Sequence, residues 1–293
     1  MPKPVMVPAA VEAHVDAAFG HASAAWHAAL SQRLPALIEQ WQLRLGDVLP
    51  GGWSSIILGC DTAHGRAVLK LTLRPDAVRP EARALRHWGS HAAAGVLACD
   101  TSRGALLLER LEPGTPMGGS SVAMAARVLD RLHRRGSPSA GFPSLADAYG
   151  GAEDRLLAMW RRHPRATARE RVTRAARWLQ ALSATPVPHG PVLLHGDPVP
   201  ANFLLGAHGY RAIDPRPRVG DPTYDLAFWA LFAEDARDVA GKAEAIAAAL
   251  GADKRRVQHW VWAIAVDRRL QVAGSAPHEG LAARLDGVID ARP

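Results

Sequence analysis

The stretch Leu193-Leu194-His195-Gly196-Asp197-Pro198-Val199-Pro200-Ala201-Asn202-Phe203-Leu204-Leu205, with Asp214 nine residues further on, decides how this chain is read. It sets a His, an Asp two residues later and an Asn five residues after that between apolar runs that look like strands. An Asp at such a reversal can orient a hydroxyl. An Asn and a second Asp, here Asp214, can offer oxygen atoms to a hard cation. A polar turn between two strands would also gather such residues. Three polar groups at one spacing, all flanked by buried-looking strands, ask for more than turn chemistry. The spacing H-x-D-x-x-x-x-N is that of a phosphoryl-transfer loop, in which the Asp aligns the attacking hydroxyl and the Asn holds Mg²⁺.

Size and composition are compatible with that chemistry. The chain has 293 residues, enough for one large domain or two lobes, and 48% of them are hydrophobic, as in a globular protein. Lys and Arg number 35 against 28 Asp and Glu, a net charge of +7. The Arg residues are scattered along helical stretches without an interleaved aromatic patch, so solvated helix faces explain the excess better than nucleic acid does. A polyanionic nucleotide would also be favoured by it. The two cysteines, Cys60 and Cys99, have no metal-like spacing and fit a reducing compartment. The first residues carry no apolar segment of secretory type, and no run has the length of a membrane span. The expectation is a soluble cytoplasmic protein with neither a membrane nor a nucleic-acid partner.

Along the chain, residues 9–40 read as two short Ala-rich helices broken near Gly20 and Pro35. Strands are expected at Trp41–Leu45, Ile56–Leu58 and Ala67–Leu71, then a helix at Glu81–Trp88 opened by Pro80. Two more strands follow near Gly95–Cys99 and Ala105–Leu111, and Glu112-Pro113-Gly114-Thr115-Pro116 reads as a hinge. Beyond it helices dominate, with Val122, Ala125, Val128, Leu129 and Leu132 on one face and further helices at 152–162, 167–183, 226–232, 235–249 and 253–273. Short strands carry the opening stretch and Tyr210–Asp214. The domain division expected is 1–111 for N-terminal helices and a nucleotide-binding lobe, and 112–293 for a helical lobe.

Lys70 is the single charge in the strand Val68-Leu69-Lys70-Leu71. A buried ammonium needs a partner; nucleotide phosphates would serve, with Glu81 as the ion pair that positions it. The alternatives are an edge-strand lysine snorkelling to water and, for Glu81, a carboxylate favoured by a helix N-terminus. Gly51-Gly52-Trp53-Ser54-Ser55 lies where a phosphate-covering turn should be, with Gly52, Ser54 and Ser55 as candidate donors; an ordinary hairpin turn fits equally. His195 is expected to brace the loop rather than shuttle protons. Asp225, at the start of an apolar helix, reads as structural, a helix N-terminal carboxylate that is compatible with bracing the loop.

The ordered set Lys70, Glu81, Leu107-Leu108-Glu109-Arg110-Leu111, His195-Gly196-Asp197…Asn202, Ile213-Asp214-Pro215 and Gly220-Asp221-Pro222…Asp225-Leu226 resembles the aminoglycoside phosphotransferase family. Within it, AIDPRPRVGDPTYDLAFWA is similar to the streptomycin 6-kinase and hydroxyurea phosphotransferase branch. The resemblance covers roughly Trp41 to Phe232. It implies an α+β, protein-kinase-like two-lobed fold with a small antiparallel-sheet N-lobe, a mainly helical C-lobe and nucleotide between them. It implies an ATP-dependent kinase (GTP is possible) that uses Mg²⁺ to phosphorylate a small hydroxylated molecule, often a cationic antibiotic. By position, Glu109 would offer its C=O and Leu111 its N–H to the base. Asp197 would be the catalytic base, and Asn202 and Asp214 the metal ligands. Pro198 and Pro200 depart from the pattern, each removing an N–H and fixing φ. Asp214 is followed by Pro215 rather than Phe-Gly, so no activation-loop switch is expected.

A cationic acceptor needs carboxylates. Glu234, Asp235 and Asp238 are candidates, as is Asp267, which shares the direction of Trp260 on a helix. A salt bridge for Asp267 and a solvated helix start for the others are the plainer readings. Trp229, Trp260 and Trp262 could stack on a ring, though aromatics at helical spacing are more often core. A kinase for a different antibiotic or an endogenous metabolite, a nucleotide-binding pseudokinase and a nucleic-acid-binding module are the alternatives.

Overall fold

The computed structural model describes residues 7–51, 54–118, 121–134, 136, 141–188, 190–233, 238–275 and 278–291. The chain divides into two compact units, Met1–Gly114 and Thr115–Pro293.

The N-terminal unit begins with helices α1 (Ala9–Phe19) and α2 (Ser23–Trp41), joined by a short turn of 3₁₀ helix at Gly20–Ala22. An antiparallel sheet follows: β1 (Arg44–Val48), β2 (Ser55–Thr62), β3 (Gly65–Thr72), β4 (Val96–Asp100) and β5 (Ala105–Glu109), in the order β1-β2-β3-β5-β4. Helix α3 (Pro75–Trp88) connects β3 to β4. Alternation sorts the sheet into two faces. Ile56, Leu58, Cys60, Ala67, Leu69, Leu71, Ala105 and Leu107 form one core with Val11, Val15, Trp26, Leu30, Leu34 and Leu37 of α1 and α2. Lys70 stands on the opposite face, in register with Ile57 and Leu106.

Three sequence expectations need correction here. The break near Pro35 does not occur; α2 runs through it. An interior proline costs a helix about 3 kcal/mol. The buried residues Trp26, Leu30, Leu34 and Leu37 on both sides of it hold the helix together. Trp41 is the last residue of α2, ended by Gln42 at φ +51°, so the first strand starts at Arg44 rather than Trp41. Helix α3 is opened by Pro75, not Pro80, which makes Glu81 its seventh residue.

The C-terminal unit is mainly helical: α4 (Val122–His133), α5 (Leu145–Tyr149), α6 (Ala152–Arg162), α7 (Arg169–Ala184), α8 (Thr223–Phe232), α9 (Val239–Ala249), α10 (Lys254–Gln271) and α11 (Glu279–Asp290). Helix α10 packs against α6, α7, α8, α9 and α11. Residues Thr223 to Leu231 of α8 are all buried, which explains an apolar run with no polar stripe. Two antiparallel ribbons are set among the helices: β6 (Val192–Leu194) with β9 (Arg218–Gly220), and β7 (Phe203–Gly206) with β8 (Gly209–Ala212). Helix α5 went unread, although its capping box, Ser144 with Asp147, is a signal visible in sequence. Among the described residues, no helix is long and apolar enough to cross a membrane.

Candidate active site

In the N-terminal unit, β3 is the central strand of five, so the edge-strand alternative for Lys70 does not apply. Its Nζ donates to Glu81 Oε1 at 2.9 Å and Oε2 at 2.7 Å, with both side chains under 10% exposed. Glu81 lies beyond the first turn of α3, out of reach of the dipole effect that would otherwise account for it. The pair is therefore a tertiary contact that fixes a cation on the face of the sheet opposite α1 and α2.

Ser55 is buried at the start of β2, in register with Thr72, and Ser54 is exposed just before it, its carbonyl accepting from Thr72 Oγ1 at 3.3 Å. Gly52 lies outside the described residues. Glu109 closes β5, and its N–H donates to Gly95 O at 2.8 Å. The Glu109 carboxylate lies close to Gly95; a Cβ there would sit 2.9 Å from Oε2. Leu111 is buried just past the strand end.

In the C-terminal unit, β6 leads into the loop that carries His195, Gly196, Asp197 and Asn202. Asp225, the third residue of α8 and fully buried, accepts His195 N–H at 2.8 Å on Oδ2 and Gly196 N–H at 2.9 Å on Oδ1. His133 Nε2, at the end of α4, also lies 3.0 Å from Oδ2. Asp225 thus braces the loop, a role compatible with the sequence reading. His195 is fully buried. Its Nδ1 accepts the Asp197 N–H at 3.3 Å, so its Nε2 carries the hydrogen that faces Ile213 O at 3.0 Å. Burial, the largest influence, pushes its pKa below the ordinary 6.5. A neutral imidazole with both nitrogens engaged is suited to bracing.

Gly196 has φ +77°, and a Cβ there would collide with the Arg216 carbonyl oxygen. The Asp197 carbonyl accepts Val199 N–H at 2.8 Å and Asn202 Nδ2 at 2.9 Å. That second bond engages the Asn202 nitrogen; its Oδ1 is the atom a hard cation would take. The prolines suit this geometry. Pro200 opens the short turn Pro200–Asn202, where a first N–H has no intrahelical partner. Ile213 N–H donates to Asn202 O at 2.9 Å, tying the metal-ligand candidate Asp214 to the same loop, and Asp214 itself has φ +52°. Asp197 is one-fifth exposed, its Oδ2 3.2 Å from Arg216 Nε.

The acceptor candidates are placed differently. Glu234 and Asp235 lie outside the described residues. Asp238 caps α9, accepting Gly241 N–H at 2.8 Å. Asp267 is buried and takes both Arg155 Nη1 (2.8 Å) and Nη2 (3.3 Å), with Gln271 Nε2 at 3.0 Å. That carboxylate is already neutralised, so the salt-bridge reading describes it and not the acceptor reading. Trp229, Trp260 and Trp262 are core residues, with Trp260 Nε1 donating to Asp221 at 3.0 Å. His133 and Arg216 were missed. Arg216 was adjacent to a recognised motif but had no periodicity to mark it, and His133 is far from the loop in sequence.

Among solved structures, this fold is similar to an aminoglycoside phosphotransferase crystallised with ADP and hygromycin B, with a TM-score of 0.63 at 17% identity, covering 87% of this chain and 97% of that one. The fold is thus protein-kinase-like. Residues 40–272 match the sequence model of the aminoglycoside/hydroxyurea antibiotic resistance kinases, and the chain belongs to that family. It is 30% identical over 235 residues to the streptomycin 6-kinase of Streptomyces glaucescens, covering 76% of this chain and 74% of that protein. It is 29% identical over 240 residues to the hydroxyurea phosphotransferase of Kitasatospora aureofaciens, covering 79% and 69%.

Proposed function

We propose that this chain is an ATP-dependent O-phosphotransferase that inactivates a small hydroxylated antibiotic of the streptomycin type, or hydroxyurea. The observation that carries the reading is the loop geometry: Asp197 is presented by a backbone clamped to buried Asp225, with Asn202 and Asp214 tied together behind it. Asp197 aligns the acceptor hydroxyl. A bond forms between that oxygen and the γ-phosphorus as the bond to the β,γ-bridging oxygen breaks, ADP departs with the electron pair, and the hydroxyl proton passes to the Asp197 carboxylate. Asn202 and Asp214 would hold Mg²⁺, which would neutralise phosphate charge. Among the described residues there is no cluster of three or more His, Cys, Asp or Glu able to hold a metal. Mg²⁺ takes one or two carboxylates together with substrate phosphates and water, so two protein ligands would suffice. Lys70 binds phosphates, oriented by Glu81; Ser54 and Ser55 lie on the turn side, and the Glu109–Leu111 backbone serves the base.

The test is Mg²⁺-dependent ADP formation from ATP with a panel of streptomycin, other aminoglycosides, hydroxyurea and peptide antibiotics, with mass detection of the product. One compound gaining the mass of a phosphoryl group establishes the reading. Nucleotide binding without transfer to any compound would move the assignment to a metabolite kinase or a pseudokinase.

Lys70 separates binding from folding. Lys70→Met is expected to weaken ATP binding by about one to two orders of magnitude, the worth of charge-assisted hydrogen bonds. It also lowers stability by about 3 kcal/mol, because buried Glu81 loses two hydrogen bonds. The double variant Lys70→Met/Glu81→Leu recovers most of the stability and none of the nucleotide affinity. Calorimetry and thermal melts on the same samples check both halves.

A further inference from the structure

Asp197 is held by Arg216, and nothing in the reaction as written uses that arginine. Its backbone is fixed: the Arg216 N–H donates to His195 O at 2.8 Å, and its carbonyl packs on Gly196, where only a glycine leaves room. Its side chain is 63% exposed, against 20% for Asp197. It is two residues from Asp214, the proposed metal ligand. A solvent-exposed cation on a fixed backbone is therefore paired with the group that aligns the acceptor, two residues along the chain from a proposed metal ligand.

Resting on the kinase reading, we infer that Arg216 changes partner on nucleotide binding. It holds Asp197 when no γ-phosphoryl group is present, and moves to that group's oxygens when a nucleoside triphosphate arrives, freeing Asp197 for the acceptor hydroxyl. The exchange is downhill on elementary grounds. An exposed ion pair is weak in water. A guanidinium meets a phosphoryl group through two parallel charge-assisted hydrogen bonds, a geometry arginine has and lysine lacks. Arg216 would thus bind the third phosphate and prevent Asp197 from engaging an acceptor before a donor is loaded.

Calorimetric titration with Mg·ADP and with Mg·AMP-PNP, a non-transferable triphosphate analogue, reads this without turnover. In Arg216→Gln, AMP-PNP affinity is expected to fall about tenfold or more while ADP affinity stays within about twofold. Arg216→Lys should give an intermediate loss. In Asp197→Asn the resting partner is weakened, so AMP-PNP should bind several-fold more tightly, and that gain should vanish in Asp197→Asn/Arg216→Gln. Equal changes for the two nucleotides in Arg216→Gln, or no change in either, would overturn the inference and leave the kinase reading standing. A wild-type chain that binds neither nucleotide would overturn both.

Discussion

Asp197→Ala keeps the fold and the nucleotide and loses phosphoryl transfer, by roughly 10²- to 10⁴-fold. The separation follows from which atoms do what. The loop is built on the Asp197 backbone: its N–H on His195 Nδ1, its carbonyl receiving Val199 N–H and Asn202 Nδ2. Alanine keeps all three bonds. Only the carboxylate that orients the hydroxyl and takes its proton is removed, along with a solvent-exposed contact to Arg216. The melting temperature and ADP affinity should therefore stay close to those of the wild type while single-turnover transfer collapses. Undiminished transfer would remove Asp197 from the mechanism.

Asp225→Ala acts in the opposite order, on stability first and activity as a result. It strips the acceptor from two buried backbone N–H groups, those of His195 and Gly196, and from His133. A buried donor without an acceptor costs about 1–3 kcal/mol. A loss of about 3–5 kcal/mol is expected, with loosening of the loop that bears Asp197 and Asn202. Asp225→Asn keeps an oxygen for one N–H and sets an amide nitrogen against the other, so it should fall between. Urea unfolding of the three proteins gives the ranking, and a destabilisation below about 1 kcal/mol for the alanine variant would show that the clamp is not a structural requirement.

The partners of these two residues show how far the sequence could be read. That Asp197, Asn202 and Asp214 would be held together was legible because they lie on one local stretch, and the structure ties that stretch to itself through Asn202. Lys70 was legible because a lone charge in an apolar strand demands a partner, and Glu81 is only 11 positions away. The helices at 152–162 and 253–273 followed from apolar periodicity, close to α6 and α10. What failed depended on contacts between distant segments. Asp267 and its partner Arg155 are 112 positions apart, and no periodicity links them. His133 reaches Asp225 across 92. Pro35 carries a local stop signal overridden by the core on both sides of it.

The layer formed by α1 and α2 bears on how this enzyme can be dissected. The family match begins at residue 40, yet the helices Ala9–Phe19 and Ser23–Trp41 seal one side of the sheet against water. A shortened polypeptide starting at the family boundary would carry Lys70, Glu81 and every proposed catalytic group. It would also leave Leu58, Leu69, Leu71 and Leu107 bare, an apolar surface that drives aggregation. The stretch the family model matches is thus shorter than the folding unit. Residues 9–41 are a portion of the protein that no catalytic assay would single out and on which soluble expression is expected to depend.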